Sequence, residues 1–502
     1  MSEARNDHLQ RVPLPARDER TDAEAQHPLL DELVDDPFSR AAGAPLIRGN
    51  GVRLLKDAAE NYPAWLAAIR SASRHIHFET YFICDDEIGR EFARALAEKA
   101  RDGVAVRFIY DWFGNLGKAS RRFWRDLRRA GVELRCYNPP RLESPFGWLN
   151  RDHRKMLAVD NEIAFVTGLC VGDMWVGDAA RHVEPWRDTG VEIRGRAVAE
   201  IERNFAKIWA LLGDPIPDAE RHDVPRPAGN VALRIVATEP ATAGILRVDQ
   251  LVAALASSRL WLTDAYYAGV ATYVQALRAA AKDGIDVRLL VPRSTDVPLL
   301  RPVSRAGYRP LLEAGVRVFE WNGTMLHAKS AVADGAWSRV GSTNLNIASW
   351  LGNCELDAVV EDRAFAEQME HMYLEDLEYS TEIVLNERLR MRPVGTPTRP
   401  ARPTMRRARG SAGRAAAGAM RLGRAVGAAF SDRRALGPVE ARLMLTSGLV
   451  LCALALLVAF FPRVLAYPLS ALGAWAGVSL LYRGYRLWRR RERSRPPDRP
   501  AH

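Results

Sequence analysis

Cysteine is scarce and scattered in this 502-residue chain: Cys84, Cys136, Cys170, Cys354 and Cys452 form no CxxC pair and no His/Cys cluster. That excludes a disulfide scaffold and a thiolate zinc site, and it fits a reducing compartment. The first forty residues hold no apolar run, so no secretory leader is expected and they read as a solvated tail. Positive charge is missing where a nucleic-acid enzyme would carry it. The net charge is +10, yet thirteen arginines against one aspartate crowd between Arg388 and Arg434, and the extreme C-terminus is basic as well. Residues 1–387 sum to about −9, the wrong sign for a catalytic surface that grips phosphate backbones. With 48% hydrophobic and 26% charged residues the chain is globular, and its length suits two or three domains.

Two long apolar runs stand near the C-terminus. Leu443–Phe461 and Val464–Tyr482 are nineteen residues each without a charge, separated only by Pro462 and Arg463. As helices each would span about 28 Å, close to a bilayer's ~30 Å hydrocarbon core. Arginines flank both outer ends (Arg433, Arg434 and Arg442; Arg483, Arg486 and Arg489–Arg491). The positive-inside rule then predicts a transmembrane hairpin with residues 1–440 on the cytoplasmic side, and a polybasic stretch at 388–434 that lies on an anionic membrane surface.

Between tail and hairpin the chain repeats itself. Ala95-Leu96, then Ala100-Arg101-Asp102-Gly103-Val104, returns as Ala276-Leu277, then Ala281-Lys282-Asp283-Gly284-Ile285. Leu127, Ala130, Gly131 and Val132 return as Leu311, Ala314, Gly315 and Val316. In each case a helical pattern stops at glycine and a β-branched strand follows, which predicts an α/β layer fold present twice. Each copy also carries HxKxxxxD: His153, Lys155 and Asp160 in the first, His327, Lys329 and Asp334 in the second. In a strand the His and Lys of one motif share a face. Asp160-Asn161 and Asp334-Gly335 mark turns into the following strands, Ile163–Val166 and Ser338–Val340.

The doubled motif resembles the phospholipase D superfamily. Asn150–Lys155, Pro185–Thr189, and Gly341-Ser342-Thr343-Asn344 running on to Asn353-Cys354-Glu355 are most similar to bacterial cardiolipin synthases. The resemblance spans roughly residues 46–385. It implies two phospholipase D-like α/β halves forming an intramolecular pseudo-dimer, with the C-terminal transmembrane helical hairpin appended. The expected segments are a disordered tail at 1–44, halves at 45–225 and 226–386, a basic linker at 387–440, membrane helices at 441–483 and a basic tail at 484–502.

It also implies a phosphatidyltransferase working through a phosphohistidine, with no cofactor and no metal, since Lys155 and Lys329 would offset phosphate charge. His153 would be the nucleophile and His327 the acid. Asp188 and Glu355, 35 and 28 residues past their motifs, are the carboxylates offered to orient the imidazoles; Ser342 and Asn344 would add neutral donors. Asp160 and Asp334 belong to the family signature but are better placed to hold the turns. Trp175 is suited to acyl-chain contact or packing, Trp186 to packing, and His182 to the surface. Where the family has Gly-Gly-x-Asn after its first motif, this chain has Thr167-Gly168-Leu169-Cys170, a departure that either tunes substrate contacts or marks a damaged first half.

The expected substrates are phospholipids, phosphatidylglycerol foremost, at the cytoplasmic face of the bacterial inner membrane. The alternatives are a hydrolytic phosphodiesterase, less readily a nuclease, or an inactive membrane scaffold.

Overall fold

The computed structural model describes residues 37–385 apart from 141–148, 218–219, 221–223 and 298–299, then 391–393 and isolated helical positions between 449 and 482. The first half supplies β1 (Ile47–Lys56), β2 (His75–Thr80), β3 (Ala105–Asp111), β4 (Glu133–Tyr137), β5 (Arg151–Asp152), β6 (Met156–Val159), β7 (Ile163–Thr167) and β8 (Thr189–Gly195). The second supplies β9 (Val231–Thr238), β10 (Arg259–Thr263), β11 (Asp286–Pro292), β12 (Arg317–Trp321), β13 (Ser330–Ala333), β14 (Trp337–Gly341), β15 (Asn353–Glu361), β16 (Ser380–Leu385) and β17 (Met391–Pro393).

Each half contains three parallel strands, β2-β3-β4 or β10-β11-β12, joined by helical crossovers. Helix Glu87–Arg101 shows why. Asp86 caps it by accepting the Gly89 N–H, Phe92, Ala95 and Leu96 face inward, and the chain leaves through Gly103. The four glycines that end the repeated helices, Gly103, Gly131, Gly284 and Gly315, have φ of 89°, 99°, 93° and 95°. That left-handed backbone strains any side-chain-bearing residue, so the repeated helix–glycine–strand pattern is a real structural repeat.

Antiparallel strands complete each half: β6, β7 and β8 continue from β2, and β13, β14 and β15 from β10. β1 pairs with both β8 and β9, and β9 with β15, which stitches the halves together. Met156, Ala158, Val166, Val191 and Ile193 of the first half share one core with Val332, Val340, Leu356 and Ala358 of the second. Re-exposing each of the larger ones, Val, Ile, Leu or Met, would cost about 1.5–3 kcal/mol, so the two halves hold each other. Each half also has its own outer core under its crossover helices.

One expected boundary shifts and another segment lies outside the described residues. Residues 37–42 are helical, and Ala42 and Ala44 are buried against Val236 and Ile245, so packed chain begins ahead of position 45. The expected hairpin at 441–483 and linker at 387–440 fall almost wholly outside the described residues. Among the described residues no helix is long and apolar enough to cross a membrane.

Candidate active site

His153 and Lys155 sit on the extended segment just ahead of β6, and His327 and Lys329 just ahead of β13, rather than within the strands. The ladder still reaches them: Thr167 N–H donates to Lys155 O and Gly341 N–H to Lys329 O, both at 3.2 Å. Asp160 and Asp334, with φ of 56° and 51°, turn the chain into β7 and β14. Their carboxylates are occupied elsewhere. Asp160 accepts the N–H groups of Ser73, Arg74 and His75 at 2.7–2.8 Å, and Asp334 those of Ser257, Ser258 and Arg259 at 2.7–2.9 Å. Although burial works against it, this ring of backbone donors holds Asp334 down at about 2. Both aspartates fasten the start of a central strand.

The histidines are held by the opposite half. His153 N–H donates to Cys354 O at 2.9 Å and His327 N–H to Arg187 O at 2.7 Å. His153 Nδ1 lies 2.9 and 3.1 Å from the two carboxylate oxygens of Glu355, on β15. His327 Nδ1 lies 2.7 Å from Asp188 Oδ2, at the start of β8. Counting along the chain places each carboxylate after the motif of its own half; the fold crosses them. All four groups are buried. An ionised carboxylate only accepts, so His153 carries its proton on Nδ1 and leaves Nε2 as the lone-pair nitrogen. His327 Nδ1 faces a donor as well as an acceptor, since Lys329 Nζ also lies 2.9 Å from it.

The electrostatics are shared too. Burial, with Lys155 and Lys329 both contributing, lowers His153 to about 4 despite Glu355. Burial and the same two lysines lower His327 to about 3 despite Asp188. Burial brings the Lys329 ammonium down to about 8, with Lys155 adding to the effect. Burial would raise both carboxylates, but Asp188 is held below its ordinary range by His327 and Lys329, and Glu355 by His153, Lys155 and Ser342. Each lysine thus acts on the other half's imidazole, which is the sign of one convergent centre. Both ammonium groups also bond back, Lys155 to His153 O and Lys329 to His327 O.

Ser342 is not a free donor: its hydroxyl donates to Glu355 Oε2 at 2.6 Å and accepts Leu356 N–H. Asn353 Nδ2 donates to the other Glu355 oxygen at 3.0 Å. Asn344 is buried, and its side-chain oxygen has no partner among the described residues. Trp175 has a polar task, donating its indole N–H to Asp188 Oδ2 at 3.0 Å. Trp186 is only half buried, its ring 5.7 Å from that of His327. His182 is exposed, in accord with its surface placement.

Sequence reasoning passed over several residues here. Tyr81 stands edge-on to His153 at 5.0 Å and Tyr266 edge-on to His327 at 5.7 Å, each also under its half's lysine. Both follow a central strand, β2 or β10, but one residue out of register, so the repeat did not expose them. Arg187, buried, bonds Asp376 and Asp57 at 2.9 and 3.1 Å. Its partners lie 130 and 189 residues away, which no local pattern reveals. Glu79 is buried behind the first motif, where burial and then Asp152 push its carboxyl well up.

Comparison with known proteins identifies the family. Residues 65–209 and 251–377 match the family described as cardiolipin synthase, PLD-like domain. A cardiolipin synthase of Halalkalibacterium halodurans is 32% identical over 350 residues, 68% of this chain and 69% of that protein. A cardiolipin synthase A of Pseudomonas fluorescens is 33% identical over 349 residues, 68% of this chain and 71% of its own. The crystal structure of a phosphatidylserine synthase from Haemophilus influenzae shares the fold at a TM-score of 0.56 and 13% identity, covering 69% of this chain and 91% of that one.

Proposed function

Because the chain belongs to the family of phospholipase D-like cardiolipin synthases, we propose that its crossed histidine centre passes a phosphatidyl group from one phospholipid to a hydroxyl of phosphatidylglycerol. The chain is a phosphatidyltransferase of the cardiolipin synthase type. One observation carries the assignment of the chemistry to residues: two imidazoles from separate repeats, each with Nδ1 on a carboxylate of the other repeat and both under the influence of both lysines.

Nε2 of His153 attacks the donor phosphorus, and the bond from phosphorus to the headgroup oxygen breaks. His327 gives that oxygen its proton, so the headgroup leaves as a neutral alcohol. Lys155 and Lys329 balance the charge on the phosphoryl oxygens throughout. In the second step His327 takes the proton of the acceptor hydroxyl, whose oxygen attacks phosphorus and releases His153. With both rings held at low pKa in the free protein, the nucleophile is unprotonated at neutral pH. Binding of the anionic substrate, whose charge offsets the lysines, raises the His327 pKa so that the ring takes its proton from solvent before the headgroup leaves.

Transfer in place of hydrolysis requires acceptor lipid near the site. The two charge-free runs and the arginines that flank them support anchoring at the cytoplasmic face of the inner membrane, against anionic headgroups. The few described apolar residues in those runs, such as Leu449, Phe460 and Leu481, are helical and largely exposed, as lipid-facing side chains would be. Concentrating lipid hydroxyls there favours them over water.

The test is product analysis on vesicles of headgroup-labelled and acyl-labelled phosphatidylglycerol. Cardiolipin and free glycerol in equal amounts are expected. Phosphatidic acid as the main acyl-labelled product would replace transfer with hydrolysis, and no turnover would refute the substrate.

A further inference from the structure

His75 and His77 stand two residues apart on β2, hence on one face, at the end of the strand away from Tyr81. Glu202 meets them from helix Ala197–Leu212. His75 Nε2 lies 2.7 Å from Glu202 Oε1, and His77 Nδ1 3.9 Å from the same oxygen. One ligand atom from each of the three lies within 4.8 Å of the others. A tetrahedral ion with bonds of about 2.0–2.1 Å places its ligands about 3.4 Å apart, so side-chain movements of roughly 1 Å seat it.

The three groups are also oriented. The His77 ring stacks on Phe205 at 4.6 Å with an 11° interplanar angle, and Asn161 N–H donates to Glu202 Oε1 at 3.2 Å. Both histidines are buried, yet His77 and Glu202 border a cavity of about 420 Å³ that Asn161, Ile216 and Glu220 also line. The cavity leaves one side open for a solvent ligand.

The second half provides an internal control. Asp160 and Asp334 bond the first residues of β2 and β10 in the same way, which aligns His75 with Arg259 and His77 with Trp261. There Arg259 makes a two-point ion pair, 2.5 and 3.0 Å, with Glu370 on helix Arg363–Glu378. That helix follows β15 as helix Ala197–Leu212 follows β8. Where the position has only to satisfy a glutamate, a permanent cation does so. The first half instead sets two imidazoles, with neutral nitrogens that bind metals, around its glutamate.

We infer that His75, His77 and Glu202 bind one divalent transition-metal ion of the zinc type, tying β2 to helix Ala197–Leu212. The experiment uses the untagged full chain in detergent, carrying His153→Ala and His327→Ala so that the central histidines do not contribute. After dialysis against chelator, Zn²⁺ is titrated by calorimetry and Co²⁺ by visible absorption.

One ion per chain is expected, with a rise in melting temperature, and Glu202→Gln should weaken binding by about 10–100-fold. The double substitution His75→Arg/His77→Trp, which copies the second half, should fold, melt near the metal-free parent and bind no ion. The inference is overturned if binding does not saturate at one ion, or if both the double variant and Glu202→Gln bind as tightly as the parent. Should the double variant not fold, Glu202→Gln decides alone.

Discussion

The two halves share a scaffold and differ in how each holds the carboxylate it lends to the other. Glu355, from the second half, is braced by two side chains, Ser342 Oγ at 2.6 Å and Asn353 Nδ2 at 3.0 Å. Asp188, from the first, is braced by the Trp175 indole at 3.0 Å and the Thr189 backbone N–H at 2.9 Å. The position of Ser342 is occupied in the first half by Gly168, and a methyl carbon there would lie 2.1 Å from Asp188 Oδ1. A serine has no room beside a carboxylate that close. The first half's difference from the second half's Gly-Ser-x-Asn is therefore matched by a different pair of donors, and Asp188 is supported as fully as Glu355. At the next-but-one position Cys170 stands for Asn344. Burial keeps its thiol above its usual range although both lysines pull the other way.

The sharpest break of this near-symmetry is chemical. Replacing either His153 or His327 by Ala should lower phosphatidyl transfer by on the order of 10³–10⁵-fold. A phosphodiester with an activated phenolate leaving group needs no acid, so it should restore burst formation of the covalent intermediate in His327→Ala but not in His153→Ala. Rapid-quench detection of phosphohistidine checks this, and the reverse pattern would swap the two roles.

The crossing itself is tested next. Glu355→Gln and Asp188→Asn should each cost roughly 10²–10⁴-fold in kcat by loosening the tautomer and orientation of one ring. In imidazole ¹⁵N spectra Glu355→Gln should shift His153 and leave His327 in place, with the converse for Asp188→Asn. A shift of the ring in the same half would refute the crossed pairing. The supporting contacts carry less. Ser342→Ala removes one donor and should cost about tenfold in rate, whereas Gly168→Ser must displace Asp188 and should destabilise by about 1–3 kcal/mol, read from the urea midpoint.

A pH dependence of stability is common to both halves and does not separate them. The histidine pKa values, about 4 and about 3, lie below the ordinary 6.5. From pH 6.5 down to about 4 for His153 and about 3 for His327, the unfolded chain takes up protons that the fold refuses, so stability falls as pH falls through those windows. The slope is at most about 1.4 kcal/mol per pH unit for each ring. His153→Gln with His327→Gln should flatten it in denaturation measured between pH 7 and 4. Asp334, depressed to about 2, adds its own loss only below about 3.8.

The sequence by itself determined a great deal. The repeat, the four helix-ending glycines, the two Asp turns and the pair of His–Lys motifs are local patterns, legible because turns, caps and strand faces are set by residues a few positions apart. The apolar C-terminal runs are equally plain in the sequence, though they fall almost wholly outside the described residues. Only the tertiary structure decided which carboxylate serves which histidine, that Ser342 and Trp175 brace those carboxylates, and that Asp160 and Asp334 bind backbone at the strand starts. Each histidine and its carboxylate lie more than a hundred residues apart, brought together by a core that neither half completes alone. Position along a chain says nothing about contacts made through such a core.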